Sequence, residues 1–312
     1  MDVLVTGGAG FLGSRLIRRL LAGRDGVKVS RVVCADMAPC PVDDPRVASR
    51  IGSITDPAFV ASIAGADIVY HMAAVLSGQS EAEFDVGMAV NVDATRALLE
   101  ACRRSAKAPR FVFTSSLAVF GGRMPDVVPD DMVLMPQSSY GAEKAISELL
   151  VCEYSRRGFI DGVVCRLPTI CVRPGKPNSA ASSFVSGIIR EPLAGVDSVC
   201  PVPLSTRLWI ASPDVTVANL VRAANLASAT LQDRRTLNLP GLCVTAAAML
   251  DSLERLGGAA ARARVACIED RRIADIVCSW PGDFDIRRPR SLGFEVDAGF
   301  DAMVRQYMDT LR

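Results

Sequence analysis

Tyr140 and Lys144 stand four residues apart in the stretch SSYGAEKAISELL, residues 138–150. On a helix that spacing puts both side chains on one face, one turn from each other. Serines sit where an N-cap belongs, and Ile146, Leu149 and Leu150 recur at helical spacing, so the element itself reads as an ordinary amphipathic helix. The pair adds chemistry. A free phenol ionises at about pH 10 and is a poor base near neutrality. An ammonium roughly 4 Å away is worth about 4 kcal/mol at an effective dielectric of 20, or about 3 pKa units. That is enough to bring a tyrosine toward working pH. A hydroxyl must still hold the oxygen of the reacting group. Ser116 supplies one in FTSSLAVF, residues 113–120, at the C-terminal end of a strand-like run. In parallel α/β sheets that edge is where ligands bind.

A second group of residues points to a cofactor. VLVTGGAGFLG, residues 3–13, places Gly7, Gly10 and Gly13 at three-residue spacing between a strand and a helix, which Phe11 and Leu12 open. Glycine allows the sharp turn, the approach of a phosphate to the backbone and close packing of helix on strand. The free N–H groups of the new helix then face a pyrophosphate. Asp36 closes the second strand candidate, placed to accept both ribose hydroxyls and to repel a 2′-phosphate. No arginine follows it, only Met37, Ala38 and Pro39, so NAD is expected rather than NADP.

These residues need a scaffold, and the apolar pattern supplies one. Short apolar runs at 3–5, 31–35, 48–51, 68–71, 110–114 and 162–166 read as strands. Helical patterns fit between them near 11–23, 56–64, 87–105 and 140–157. The alternation predicts an α/β protein, a Rossmann-type doubly wound parallel sheet with helices on both faces. After about residue 167 the texture changes. RPGKPN, residues 173–178, is a loop, and Pro192, Pro201 and Pro203 punctuate the next segment. Further helices are expected near 213–227, 245–256 and 298–310, with a strand at 235–239. The expected organisation is an NAD-binding domain at 1–167, to which roughly 208–240 returns, and a smaller mixed α/β substrate-binding region at 168–312.

Bulk properties exclude several function classes. The 312 residues carry 35 basic and 34 acidic side chains, a balance that advertises neither a nucleic-acid nor a membrane surface. No stretch approaches the roughly 18 apolar residues of a membrane helix, and the start has no signal-peptide pattern. Ten cysteines are scattered without a CxxC pair and read as buried free thiols, expected in a reducing cytoplasm. With one histidine, His71, a zinc site built on histidine or a Ser-His-Asp triad has almost no material, and no metal is expected.

With these parts in place, the sequence resembles the extended short-chain dehydrogenase/reductase family, the group that includes nucleotide-sugar epimerases and dehydratases. The likeness rests on TGGAGFLG at 6–13, Asp36, the His-x-Ala-Ala strand end at 71–74, Asn91, SSLAVFG at 115–121 and the Tyr140/Lys144 pair, and it spans essentially the whole chain. The resemblance implies that Ser116 orients the reacting hydroxyl and Tyr140 is the acid/base. It implies that Lys144 lowers the tyrosine pKa and holds the nicotinamide ribose. It also places Met72, Ala73, Ala74, Asn91 and Pro168 along the cofactor, and makes His71 a support of the cofactor loop rather than a catalyst.

Departures from the family pattern narrow the activity. Dehydratases carry Asp-Glu after the catalytic hydroxyl residue; here Leu117 and Ala118 follow Ser116, so dehydration is not expected. The Asp-Ile pair that contacts adenine is replaced by Ser53 and Ile54. In RLPTICVRP, residues 166–174, Thr169 takes the slot of a diphosphate-binding asparagine and Arg173 that of a glycine. The family's phosphate-binding arginine survives as Arg207, and a guanidinium binds a carboxylate as readily as a phosphate. With Arg173 and Lys176, this suggests a small anionic substrate. The runs at 155–159, 166–195, 237–241 and 279–281 look like the D-erythronate dehydrogenase subgroup, which oxidises the 2-hydroxyl of a four-carbon sugar acid. Ser77 is then placed to bond a substrate hydroxyl.

The leading expectation is therefore an NAD-dependent dehydrogenase of a small sugar acid. The alternative is a nucleotide-sugar 4-epimerase with tightly bound NAD. A non-catalytic dinucleotide sensor is disfavoured because both Tyr140 and Lys144 are present. The resemblance also leads us to expect a homodimer, built on the helices near 87–105 and 140–157.

Overall fold

Val3, Leu4 and Val5 are all fully buried, so the first strand is covered on both faces, as its unbroken apolar run requires. It is β1 (Asp2–Thr6) in the computed structural model, which describes residues 1–26, 28–105, 107–177 and 180–311. The other strands are β2 (Arg31–Asp36), β3 (Val47–Ile51), β4 (Ile68–His71), β5 (Arg110–Ser116), β6 (Asp161–Leu167), β7 (Thr169–Ile170), β8 (Ser198–Cys200), β9 (Arg207–Ala211), β10 (Thr236–Asn238), β11 (Leu242–Thr245) and β12 (Val265–Cys267).

Seven of them form one sheet in the order β10-β6-β5-β4-β1-β2-β3. Pairing from β3 through β2, β1 and β4 to β5 is parallel, with Val3 opposite both Val32 and Ile68. This is the doubly wound Rossmann-type arrangement, whose order reverses between β1 and β4. A cluster of Leu4, Val69, Phe111, Phe113 and Val164 packs with Leu98, Leu99 and Val151 of two helices, Ala94–Arg104 and Ser139–Arg156. The helix Phe11–Ala22 buries Leu16, Ile17 and Leu20 and ends at Gly23 in the left-handed conformation, a C-cap glycine.

The expected helix at 87–105 is not uniform. Residues Met88–Asp93 form a π-helical turn before the α-helix Ala94–Arg104. The wider turn leaves the Asn91 carbonyl to accept hydroxyl bonds, from Thr95 (2.8 Å) and from Ser147 (2.7 Å) of the Ser139–Arg156 helix. Such turns cluster at functional sites.

The chain divides into two compact units. The first comprises Met1–Ser116, Ser139–Arg166 and Val217–Leu237; the second comprises Leu117–Ser138, Leu167–Thr216 and Asn238–Arg312. The second unit holds a small sheet in the order β11-β9-β7, in which β9 runs antiparallel to β11 and parallel to β7. It also holds the parallel pair β12-β8. Its core gathers Val185, Ile188 and Ile189 from the helix Ser183–Leu193, Met249, Leu250 and Leu253 from Ala246–Gly257, and Met303, Val304 and Tyr307 from Phe300–Asp309.

All ten cysteines are free, but they are not uniformly buried. Cys34, Cys102, Cys165, Cys171 and Cys200 are buried, whereas Cys243, Cys267 and Cys278 are exposed. The exposed three lie in the second unit. No helix among the described residues is long and apolar enough to cross a membrane.

Candidate active site

The glycine loop is shaped by contacts that only glycine permits. Gly7 has φ +69°, and a Cβ there would lie 2.8 Å from the Ala73 backbone nitrogen. At Gly13 a Cβ would lie 2.2 Å from the Gly7 carbonyl oxygen, so the helix Phe11–Ala22 starts directly against the loop. Gly10 is the N-cap of that helix and offers no side-chain bond to its first N–H groups. An uncapped twelve-residue helix beginning at a glycine turn fits a dinucleotide pyrophosphate, because those donors and the helix dipole both favour an anion. Asp36, at the end of β2, accepts hydrogen bonds from the Ala9 N–H (3.0 Å) and the Ala38 N–H (3.2 Å). Besides standing where a ribose is expected, its carboxylate pins the glycine loop.

The end of β4 is built as a hydrogen-bonded relay. Thr95 Oγ1 donates to the Asn91 carbonyl, which leaves it to accept from His71 Nε2 (2.9 Å). The His71 proton therefore sits on Nε2, and Nδ1 accepts from the Thr6 hydroxyl (2.7 Å). Thr6 Oγ1 in turn accepts from the N–H groups of Met72 (3.2 Å) and Ala73 (3.3 Å). Burial pushes the His71 pKa down to about 3, with the nearby Lys144 charge adding. His71 is thus neutral at working pH, and its two nitrogens are both engaged within the fold. Met72, Ala73 and Ala74 follow it, half-buried.

Asn91 clamps the next loop. Its Oδ1 accepts from the Val75 N–H (2.9 Å), and its Nδ2 donates to the Val75 carbonyl (3.1 Å) and to Glu143 Oε2 (2.6 Å). Ser77 is buried at the start of the helix Ser77–Ala82. Ser53 shares a hydrogen bond with Thr55 Oγ1 (2.7 Å), while Ile54 is buried in the core.

Ser116, Tyr140 and Lys144 all lie in the first unit. Ser116 ends β5, and Tyr140 and Lys144 occupy the first turns of Ser139–Arg156. Lys144 is buried; its Nζ donates to the Thr114 carbonyl (3.0 Å) and lies 5.7 Å from the centre of the Tyr140 ring. Burial brings its pKa down to about 8, against the carboxylates of Glu143 and Glu148, which raise it. Burial also pushes the Tyr140 phenol above its ordinary value, and Glu143 pushes the same way, while a hydrogen bond with Ser116 opposes both. Burial and Glu143 thus leave the tyrosine a weaker acid than a free phenol among the chain's own groups.

A buried ion pair holds this helix in place: Arg166 of β6 bonds Glu148 through Nε (3.0 Å) and Nη2 (2.7 Å). The sequence alone assigned Glu148 and Glu143 no role, since neither belongs to a recognisable motif. Only a glutamate immediately preceding Lys144 in a chemically loaded helix hinted at more.

Thr169, Arg173 and Arg207 belong to the second unit, as does the buried Pro168. Thr169 on β7 is in register with Ile210 of β9, and Arg207 begins β9. Arg207 Nη2 pairs with Asp283 (2.9 Å), and its Nε donates to Cys243 Sγ (3.3 Å). Arg173 is half-buried, its carbonyl accepts from Arg190 Nη1 (2.7 Å), and its N–H donates to Ser186 Oγ (2.9 Å). No carboxylate among the described residues pairs with the Arg173 guanidinium, whose pKa is lowered by burial and by Arg190. Arg190 itself is paired with Glu191.

A family model, the NAD dependent epimerase/dehydratase family, matches residues 3–233. The chain belongs to this family. Full-length relatives agree. The chain is 53% identical to a D-erythronate dehydrogenase of Cupriavidus necator, over 99% of this chain and 98% of that protein. It is 44% identical to a D-erythronate dehydrogenase of Haemophilus influenzae, over 99% of each. Among solved structures, a nucleoside-diphosphate-sugar epimerase from Agrobacterium tumefaciens superposes with a TM-score of 0.93 at 38% identity, covering 99% of this chain and 94% of that one. NAD is the family's cofactor, and the protein is an oxidoreductase on the family's fold.

Proposed function

We propose that the protein oxidises the 2-hydroxyl of D-erythronate to the 2-oxo acid, with NAD as the oxidant. The observation that carries this reading is the 53% identity, over nearly the whole chain, to a D-erythronate dehydrogenase, joined to a complete Ser116, Tyr140 and Lys144 set in one unit. Bound NAD supplies the hydride acceptor and a cationic ring that favours the phenolate. Gly7, Gly10, Phe11, Leu12 and Gly13 would hold its pyrophosphate, Asp36 its ribose, and Ser53 and Ile54 its adenine end. Met72, Ala73, Ala74, Asn91 and Pro168 would lie along it, and Lys144 would take the nicotinamide ribose.

The chain's own residues then do the proton chemistry. Ser116 holds the substrate oxygen, and ionised Tyr140 takes the hydroxyl proton as general base. Lys144, with its pKa near neutrality, carries the charge that supports the phenolate. Ser77 and Thr169 are the polar contacts for the remaining hydroxyls, and Arg173 and Arg207 bind the carboxylate. Of the two, Arg173 has the less committed guanidinium, because Asp283 already engages Arg207.

The protein is expected to work in the cytoplasm as a homodimer. Ile146 and Leu149 of the Ser139–Arg156 helix are 40% and 68% exposed, an apolar stripe suited to a second copy.

The test is direct. Purified protein given D-erythronate and NAD should release NADH into solution, and Tyr140→Phe should lower that turnover by about 10³-fold or more. Interconversion of UDP-sugars by protein that retains its NAD would overturn the reading in favour of an epimerase, and normal turnover by Tyr140→Phe would remove the assigned base.

A further inference from the structure

The site contains a buried carboxylate that the proton chemistry above does not use. Glu143 is 1% exposed and sits between Tyr140 and Lys144 in sequence. We propose that Glu143 is a positioning residue for the oxidation: held by Asn91, its carboxylate is the built-in counter-charge of Lys144 and ties the loop after β4 to the helix that carries Tyr140. This rests on the assignment of Tyr140 as the base.

Three observations converge on it. Asn91, which clamps Val75 on both its backbone groups, spends its shortest bond (2.6 Å) on Glu143 Oε2. The other oxygen, Oε1, is buried with no hydrogen-bond partner. Leaving a carboxylate oxygen unsatisfied costs stability, so its retention points to a use of the charge. Finally, room for it is made by an absence: a Cβ on Gly87 would lie 2.2 Å from Oε1 and 2.9 Å from the carboxyl carbon. Glycine at 87 and glutamate at 143 form a matched pair across two helices.

The electrostatic surroundings agree. The buried ionisable neighbours are Lys144 and Glu148 on the same helix, His71 on β4, and Arg166 on β6, which Glu148 neutralises. Glu81, Asp85 and Asp93 on the elements packed against the helix are exposed, and Glu100 is bound to Arg103. Glu143 is therefore the buried carboxylate in this group that no cation pairs directly. Its charge raises both Lys144 and Tyr140. It keeps Lys144 protonated at the expense of a harder ionisation of the phenol, and so sets the pH at which the pair works.

Glu143→Gln keeps the acceptor for Asn91 and the shape, and removes the charge. The acidic limb of kcat/KM against pH should move down by about one unit. In cofactor-free protein, the labelling rate of Lys144 against pH should report a midpoint below the native value of about 8. Gly87→Ala, which crowds Oε1, should move both readings the same way. A role in packing alone predicts a uniform loss of activity with both midpoints unchanged, and that outcome overturns the proposal. Should Glu143→Gln not fold, native midpoints in Gly87→Ala overturn it equally. An active Tyr140→Phe variant would fail the assignment of the base; an inactive one beside a native Glu143→Gln profile would fail this proposal alone.

Discussion

At the scale of single residues, charge and burial separate the arginines that the sequence grouped together. Arg207 and Arg173 both read as anion ligands, yet Asp283 holds the first and no carboxylate among the described residues holds the second. A carboxylate bonded by a guanidinium is worth about 1.5–3 kcal/mol. Arg173→Ala should therefore raise the KM for D-erythronate roughly tenfold to a hundredfold with a smaller change in kcat, and Arg207→Ala should raise it less. Steady-state kinetics of the two variants check this, and equal effects would refute the ranking. The same distinction applies to titrating groups. His71 looks like a candidate acid by residue type, but its two bonds and its burial make it part of the frame.

Elements show why the motif spacing is what it is. The helix Ser139–Arg156 buries Gly141, Glu143, Lys144, Ala145, Ser147, Glu148, Val151 and Ser155, a face of small and polar residues, while Ile146 and Leu149 lie outside. Two residues of the stripe that announced a helix thus face outward, whereas the third, Leu150, packs against the core beside the buried Val151. Lys144, Glu148 and Ser147 occupy the buried face, matched by partners from β5, β6 and the π-helical turn. The glycine loop has a comparable constraint. A methyl group at Gly13 must displace either the helix or the Gly7 carbonyl. Gly13→Ala should cost about 1–3 kcal/mol of stability and weaken NAD binding at least about tenfold. Denaturant unfolding and calorimetric titration with NAD measure the two effects, and native values in both would contradict the close packing.

For the molecule as a whole, the buried histidine makes stability depend on acid. Its folded pKa of about 3 lies below the ordinary value of about 6.5. The unfolded chain therefore binds the extra proton between those values, so this contribution is full above about pH 6.5 and is lost as pH falls toward 3. Between about pH 7.5 and 5 the loss is about 2 kcal/mol. Urea unfolding at the two pH values checks it, and a His71→Gln variant should show a flatter dependence. An unchanged slope in that variant would assign the acid sensitivity elsewhere.

Sequence determined the parts with local signals. Gly7, Gly10 and Gly13 declare a tight strand-to-helix turn because glycine relaxes the backbone demands there, and the alternation of apolar runs with helical patterns declares the sheet because each period follows from local geometry. The placement of Tyr140 and Lys144 on one helix and of Ser116 at a strand end was legible for the same reason: it follows from local pattern. The smaller strands of the second unit, two to five residues each, were not legible, since so short a run has no readable period. Nor was the grouping of Leu117–Ser138 with the later chain, which depends on contacts far apart in sequence, such as Val128 with Phe284. Only tertiary structure decided that Lys144 reaches for the Thr114 carbonyl and that Glu143 lies buried beside Gly87. It also decided that Asp283 engages Arg207. Whether a charge is solvated, paired or stranded is a property of its surroundings, and those surroundings come from segments that the chain brings together only on folding.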